Sequence, residues 1–249
     1  MIILKSSREL EKLRAAGRLV ARTLEELRRH IRPGVTTAEL DRIAEEFIVR
    51  HGGRPTFKGY RGFPAAICAS PNDVVVHGIP GDVVLQEGDI FSVDVGVTLD
   101  GFIGDTAWTY PVGEIDDEAA RLLEVARKSL EAGIAAAQPG GYVSDIGAAV
   151  QAVVEAAGFS VVREYTGHGV GREMHEDPPV PNYGPPGRGP RLKPGMVLAI
   201  EPMVNAGTWK TKTDADGWTV RTADGSLSAH FEHTVAVTDD GPEILTVVD

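Results

Sequence analysis

A single cysteine, Cys68, stands in the 249-residue chain, which excludes an intrachain disulfide and a thiolate metal cluster and fits a reducing compartment. Its setting, the apolar run AAICAS, lacks the cations that make a thiolate reactive, so it reads as a buried or pocket-wall thiol. Positive charge is also short, with 25 Lys and Arg against 36 Asp and Glu and a net charge of −11. Nucleic-acid binding needs a basic excess, and none is expected here. No apolar run approaches the length of a membrane span, and the start, MIILKSSREL, reaches charge at once, so neither membrane nor leader is expected and the address is cytoplasmic. No Gly/Ser or charged linker interrupts the chain, and a hydrophobic fraction of 42% suffices for a packed core. One domain over residues 1–249 is the expectation. Neither G-x-S-x-G nor H-E-x-x-H occurs, which removes two familiar hydrolytic arrangements.

What is present repeats itself. Leu10, Leu13, Leu19, Val20, Leu24 and Leu27 fall on helical spacing, and Pro33-Gly34 is expected to stop that helix. A second helix is expected from TTAELDRIAEEFIVRHGG with Thr37 as its cap, and two more over Asp116–Gln138 and Val143–Ala157. At an offset of 106, Pro33 matches Pro139, Gly34 matches Gly140, Leu40 matches Ile146 and Gly52 matches Gly158. At 107, LQEGDIFSVD matches LKPGMVLAIE, each ending in an acid. One near-constant offset across helices and strands predicts an internal duplication, with repeats of approximately 6–112 and 113–249. The fold class expected is α+β, two pseudo-symmetric halves sharing one core.

The acids fall on one face. Asp100-Gly101 between two alternating runs is a hairpin signal, pairing Leu99 with Phe102 and Gly96 with Asp105. Asp94 and Asp105 then become diagonal neighbours roughly 7–8 Å apart on the face opposite Phe91, Val93, Val95 and Val97. Two solvated acids would be the plain alternative. Against it, the repeat places Glu201 where Asp94 sits in the first half, inside the apolar run MVLAIEPMV, and Glu232 adjoins another apolar strand. A carboxylate in such a run is costly unless it is paired or metal-bound. Four carboxylates and one imidazole suit a pair of divalent ions, cobalt, manganese, iron or zinc.

Read together, VVVHGIPGD, FSVDVGV, DGFIGDTAWTYPVG, GHGVGREMHEDPPVPNYG, AIEPMVNAG, DGWTV and SLSAHFEHTVAVT resemble the type I methionine aminopeptidases of bacteria, whose pita-bread fold is shared with creatinase and prolidase. The resemblance implies two pseudo-symmetric halves around a shared antiparallel sheet. It implies that Asp94, Asp105, His168, Glu201 and Glu232 hold two metal ions, with Asp105 and Glu232 bridging them. His77 and His175 would hold substrate and polarise the scissile carbonyl, and the glycines of GHGVGREMHEDP would bend His168 and His175 inward. Two ions make a shared water acidic enough to attack a peptide carbonyl near neutral pH, and Glu201 is the expected proton shuttle to the leaving amine.

By the same resemblance Phe57, Tyr60, Phe63, Cys68, His77, Met174, His175 and Trp218 bind substrate. Because Phe57 precedes the glycine-rich KGYRGFP, it is expected at the pocket rim, with a core position in the helical layer as the alternative. Phe57 and Met174 depart from the best-known members, where a cysteine and an aromatic are common. His30, His51, His230 and His233 read as ordinary core or helix-end residues. The activity implied is removal of N-terminal methionine from nascent proteins when the second residue is small, by a monomer making transient contact with the ribosome. The alternatives are an X-Pro-type aminopeptidase of the same fold, whose usual extra N-terminal domain is not seen here, and a non-catalytic peptide-binding relative. The zinc-finger extension of eukaryotic members is likewise not seen.

Overall fold

The computed structural model describes residues 1–248. Four helices, α1 (Ser7–Arg28), α2 (Thr37–Arg50), α3 (Asp117–Ala136) and α4 (Val143–Ala156), form the outer layer. In the first half the strands are β1 (Arg54–Pro55), β2 (Ile67–Pro71), β3 (Val74–Val76), β4 (Ile90–Leu99) and β5 (Phe102–Pro111). The second half opens with β6 (Ser160–Val161), β7 (Gly167–Gly169), β8 (Glu176–Val180), β9 (Val197–Ile200) and β10 (Met203–Asn205). It closes with β11 (Thr211–Thr213), β12 (Val220–Thr222), β13 (Ser228–His230), β14 (His233–Thr238) and β15 (Gly241–Ile244).

The helices form where the apolar spacing requires, with two corrections. The cap of α2 is Thr36, whose hydroxyl accepts from the Glu39 amide, while Thr37 is already helical, buried, and donates to the Gly81 carbonyl. In a Thr-Thr pair the cap is the residue with extended backbone, and periodicity cannot tell one from the other. Helix α1 ends at Arg28, a turn before Pro33-Gly34, and Gly34 instead supplies a left-handed turn at φ 89°.

The two halves match in detail. Gly34 N donates to Leu85 O and Gly140 N to Leu192 O, both at 2.8 Å. Isolated bridges pair Thr36 with Val84 and Tyr142 with Arg191. Gly88 and Gly195 share a φ of 91°. Each half keeps its own core. Phe91, Val93, Val95 and Val97 on one face of β4 pack under α1 and α2, and Leu122, Leu130, Ile146 and Val150 from α3 and α4 pack over Leu198 and Ile200 of β9. Each such side chain contributes about 1.5–3 kcal/mol on burial. A third cluster, with Leu13, Phe57, Phe63, Cys68, Phe102 and Met174, lies between them.

Every strand pairing is antiparallel. In the first half β4 pairs with β1, β2 and β5, and in the second the order is β15-β14-β9-β7-β8. These two ladders meet along a seam made by threonines. Thr106 Oγ1 donates to Glu232 O, Thr109 Oγ1 to His230 O and Thr234 Oγ1 to Asp105 O, all at 2.7–2.8 Å. The shared sheet is thus stitched from two ladders. Such contacts leave few buried backbone groups unpaired where regular pairing stops. The chain has the pita-bread fold.

Candidate metal centre and substrate pocket

The β4–β5 hairpin has the register expected from Asp100-Gly101: Leu99 faces Phe102, Gly96 faces Asp105, and Asp100 and Gly101 both take positive φ, at 49° and 78°. Asp94 and Asp105 therefore share the face turned away from the helices. On the other side of the seam, His168 pairs with Ala199 and His233 with Ile200, which sets Glu232 opposite Glu201 one step further along. The five residues Asp94, Asp105, His168, Glu201 and Glu232 line one cavity of about 180 Å³. One ligand atom each from Asp105, His168 and Glu232 lie within 4.8 Å of one another, and His168 Nε2 stands 3.4 Å from Glu201 Oε1 and 3.6 Å from Asp105 Oδ2.

This grouping is costly as it stands. Asp94 Oδ1, Asp105 Oδ1 and Glu232 Oε1 are buried without a hydrogen-bond partner, and among the described residues no lysine or arginine pairs with any of the four acids. Burial pushes Asp105 up to about 7, and pushes Asp94, Glu201 and Glu232 well above the carboxylate range, with repulsion from neighbouring acids adding to it. Unpaired buried carboxylates persist where a cation compensates them. The imidazole suits the same purpose: Nδ1 of His168 lies 2.9 Å from the Gly169 carbonyl, which holds the proton there and leaves Nε2 with its lone pair toward the acids. Burial lowers His168 to about 4, so it is neutral at ordinary pH. The donors present therefore fit divalent cations.

The glycines around His168 work by room rather than by bending. None of Gly167, Gly169 and Gly171 has a positive φ. A Cβ on Gly167 would lie 2.3 Å from Ala199 O, and one on Gly169 2.3 Å from Asp177 O. Here β7 is squeezed between β8 and β9, and only glycine admits that approach.

All the expected pocket residues line the same cavity: Phe57, Tyr60, Phe63, Cys68, His77, Met174, His175 and Trp218. Phe57, expected at the rim, is a buried wall at 7% exposure, its ring filling the space above Gly96, where a Cβ would come within 2.6 Å. The missing Cβ at 96 admits the ring, a relation between strands that the rim expectation did not include. Tyr60 Oη lies 2.8 Å from His175 Nδ1 with the rings stacked, and His175 sits 4.3 Å from the His168 ring. His77 is held at φ 60° between Tyr165 and Trp218, each meeting it edge-on, and burial lowers it to about 4. Cys68 is buried, and burial with the nearby acids raises its thiol well above the usual range, which argues against a nucleophile.

Other side chains reach the site without an expected role, among them His230 beside the acids and Tyr165 in the cavity wall. His230, taken as ordinary, is 2% exposed with Nε2 unpartnered 3.7 Å from Glu201 Oε2. It stands two residues before Glu232, at the end of β13 and across the break that precedes β14, so no strand periodicity in the sequence signals its place. Tyr165 also lines the cavity, against His77, with its proximity to GHG as the only clue. His30, His51 and His233 lie elsewhere, near Glu26, on the Phe47 carbonyl and on Thr246 respectively.

The model of metallopeptidase family M24 matches residues 11–239. The chain is 60% identical over 248 residues to methionine aminopeptidase 1 of Bacillus subtilis, covering 100% of both, and 55% identical to the methionine aminopeptidase of Clostridium perfringens, again over 100% of both. It superposes on the crystal structure of methionine aminopeptidase from Rickettsia prowazekii with a TM-score of 0.98 at 47% identity, covering 99% of this chain and 100% of that one. The prolidase of Pyrococcus furiosus shares the fold at a TM-score of 0.80 and 22% identity, with 99% of this chain and 66% of that one covered.

Proposed function

Because the chain belongs to metallopeptidase family M24, we infer that it is a methionine aminopeptidase, which removes the N-terminal methionine from polypeptides whose second residue is small. The observation that carries this is 60% identity along the whole length of a curated methionine aminopeptidase, and the buried acids that lack partners supply the fitting chemistry. Likeness to prolidase extends only to the fold. A non-catalytic relative would have no need to keep four buried acids around one imidazole.

Asp94, Asp105, His168, Glu201 and Glu232 would hold two divalent ions, cobalt, manganese, iron or zinc. When bound, such ions supply a water acidic enough to attack a peptide carbonyl at neutral pH. The rest falls to the protein's own side chains. Phe57, Phe63, Cys68, Met174 and Trp218 take up the methionine side chain, for which soft, polarizable walls are suited. With the Tyr60 hydroxyl donating to His175 Nδ1, the proton on Nε2 is free to polarise the scissile carbonyl. His77, neutral and edge-on to Trp218, holds the substrate backbone. Glu201 takes the proton released in the attack and passes it to the leaving amine.

The setting proposed is the cytoplasm, with a monomer acting on nascent chains in transient contact with the ribosome. No helix among the described residues is long and apolar enough to cross a membrane. Hydrolysis of Met-Ala-Ser and Met-Lys-Ser by metal-loaded protein tests the reading. Cleavage of the first alone is expected, and equal rates on both, or none on either, would overturn it.

A further inference from the structure

The loop that carries Met174 and His175 is wound around a buried ion pair whose cation comes from the far end of the chain. Lys5 Nζ reaches Glu176 Oε2 at 2.5 Å, and the two side chains are only 3% and 8% exposed. The other carboxylate oxygen, Oε1, accepts from the backbone amides of Arg172 at 2.9 Å and Glu173 at 3.3 Å. Both oxygens of Glu176 are thus engaged, one closing the turn at 172–173 and one facing Lys5. Lys5 is itself tied down, its amide donating to Gly195 O at 2.7 Å. The packing is tight enough that a Cβ on Gly171 would meet Glu176 Oε1 at 2.5 Å and Lys5 Cε at 2.6 Å.

Neither residue lines the substrate cavity that Met174 and His175 line. We propose that Lys5 is a positioning residue for His175, fixing the 171–176 turn through Glu176 so that the imidazole keeps its place beside His168. Without Lys5, Glu176 is a buried anion lacking its counter-charge, a state costly enough to make the carboxylate seek water. When the carboxylate leaves, the turn amides lose their acceptor, and the residue next to Glu176 in sequence is His175. Tyr60 alone then orients the ring, through a single hydrogen bond. Angstrom-scale displacement of such a group lowers turnover more than it lowers ground-state binding. This inference rests on the proposed role of His175, so its test includes a reading that needs no activity.

The variants are Lys5→Met and, since loss of the cation could prevent folding, Glu176→Ala, which removes the acceptor of the turn amides together with the charge that faces Lys5. On Met-Ala-Ser, each is expected to lower kcat by about 10-fold or more while KM stays within about two-fold. In a His175→Ala background the same changes should leave kcat within about two-fold of His175→Ala alone, because the path through His175 is already lost. Histidine nitrogen NMR gives the independent reading. The His175 signals, assigned by their absence in His175→Ala, should move in both variants while those of His30 and His51 stay. Folded variants with unmoved His175 signals and wild-type kcat would overturn the assignment, as would equal losses in both backgrounds. If the wild type fails to cleave Met-Ala-Ser, the functional reading falls, and the NMR comparison still decides whether Lys5 places His175.

Discussion

Thr234 grips the backbone of Asp105 from both sides, its hydroxyl donating to the Asp105 carbonyl at 2.7 Å and accepting from the Asp105 amide at 3.1 Å. The two residues belong to opposite halves and stand 129 positions apart. Thr234→Val would keep the shape and remove the hydroxyl, leaving a buried donor and acceptor at a cost of about 1–3 kcal/mol for each group left unpaired. The expected result is a lower melting temperature together with metal affinity weakened by about 10- to 100-fold, since a ligand would lose its orientation. An unchanged affinity beside a lowered melt would separate the seam from the centre.

The acids and the two histidines of the centre should part company under mutation. Asp105→Ala and Glu232→Ala should abolish hydrolysis even with excess metal, because each removes a carboxylate from the proposed metal centre. His168→Ala should lose bound metal, whereas His175→Ala should retain it and lose mainly turnover. Metal analysis of the purified variants beside their rates checks all four, and equal metal loss in the two histidine variants would contradict the assignment.

The pH dependence of metal binding follows from the buried acids. Burial holds Asp105 up at about 7 and Asp94, Glu201 and Glu232 above their ordinary values, so protons compete for the positions that cations would take. His168, lowered to about 4, brings no competing proton at neutral pH. Affinity should therefore rise as pH rises through 7, with protons released on binding. Calorimetry in two buffers of different ionisation enthalpy measures that release, and a value of zero at pH 7 would contradict the expectation. For the metal-free chain, Asp105 is raised from 3.8, so its contribution to stability is present below about pH 4 and is lost as pH rises through 7.

Phe57→Ala now has a definite expectation. The ring is buried against Gly96 and touches the pocket from within, so its removal should cost about 3–5 kcal/mol through the cavity left behind. Turnover of Met-Ala-Ser should stay within a few fold, because the ring lines the side-chain pocket and not the group of acids. A thermal melt matching the wild type would return Phe57 to an exposed position.

Much of this architecture was legible because two strong local signals agreed with one long-range one. Asp100-Gly101 dictated the hairpin register, alternation then put Asp94 and Asp105 together, and the repeat carried the same logic to Glu201. What escaped lay in contacts between elements distant in sequence. Thr36 and Thr37 are equivalent to any periodic pattern, and only the Gly81 carbonyl beside Thr37 distinguishes them. The glycines around His168 suggest flexibility in the sequence, yet they are there because β8 and β9 press on β7 from either side. His230 looked unremarkable because nothing in SAHFEHT announces that its imidazole ends beside Glu201.

The threonine seam also means that the centre has no owner among the parts of the chain. Asp94 and Asp105 come from one half, His168, Glu201 and Glu232 from the other, and neither set alone encloses a cation. Ions held between the two sets would act as rivets through two plates, resisting their separation as well as serving chemistry. Chelation should then loosen the join between the two halves before it disturbs either helical layer, and amide exchange at Asp105 and Glu232, whose amides donate across that join, would be where the loosening first registers.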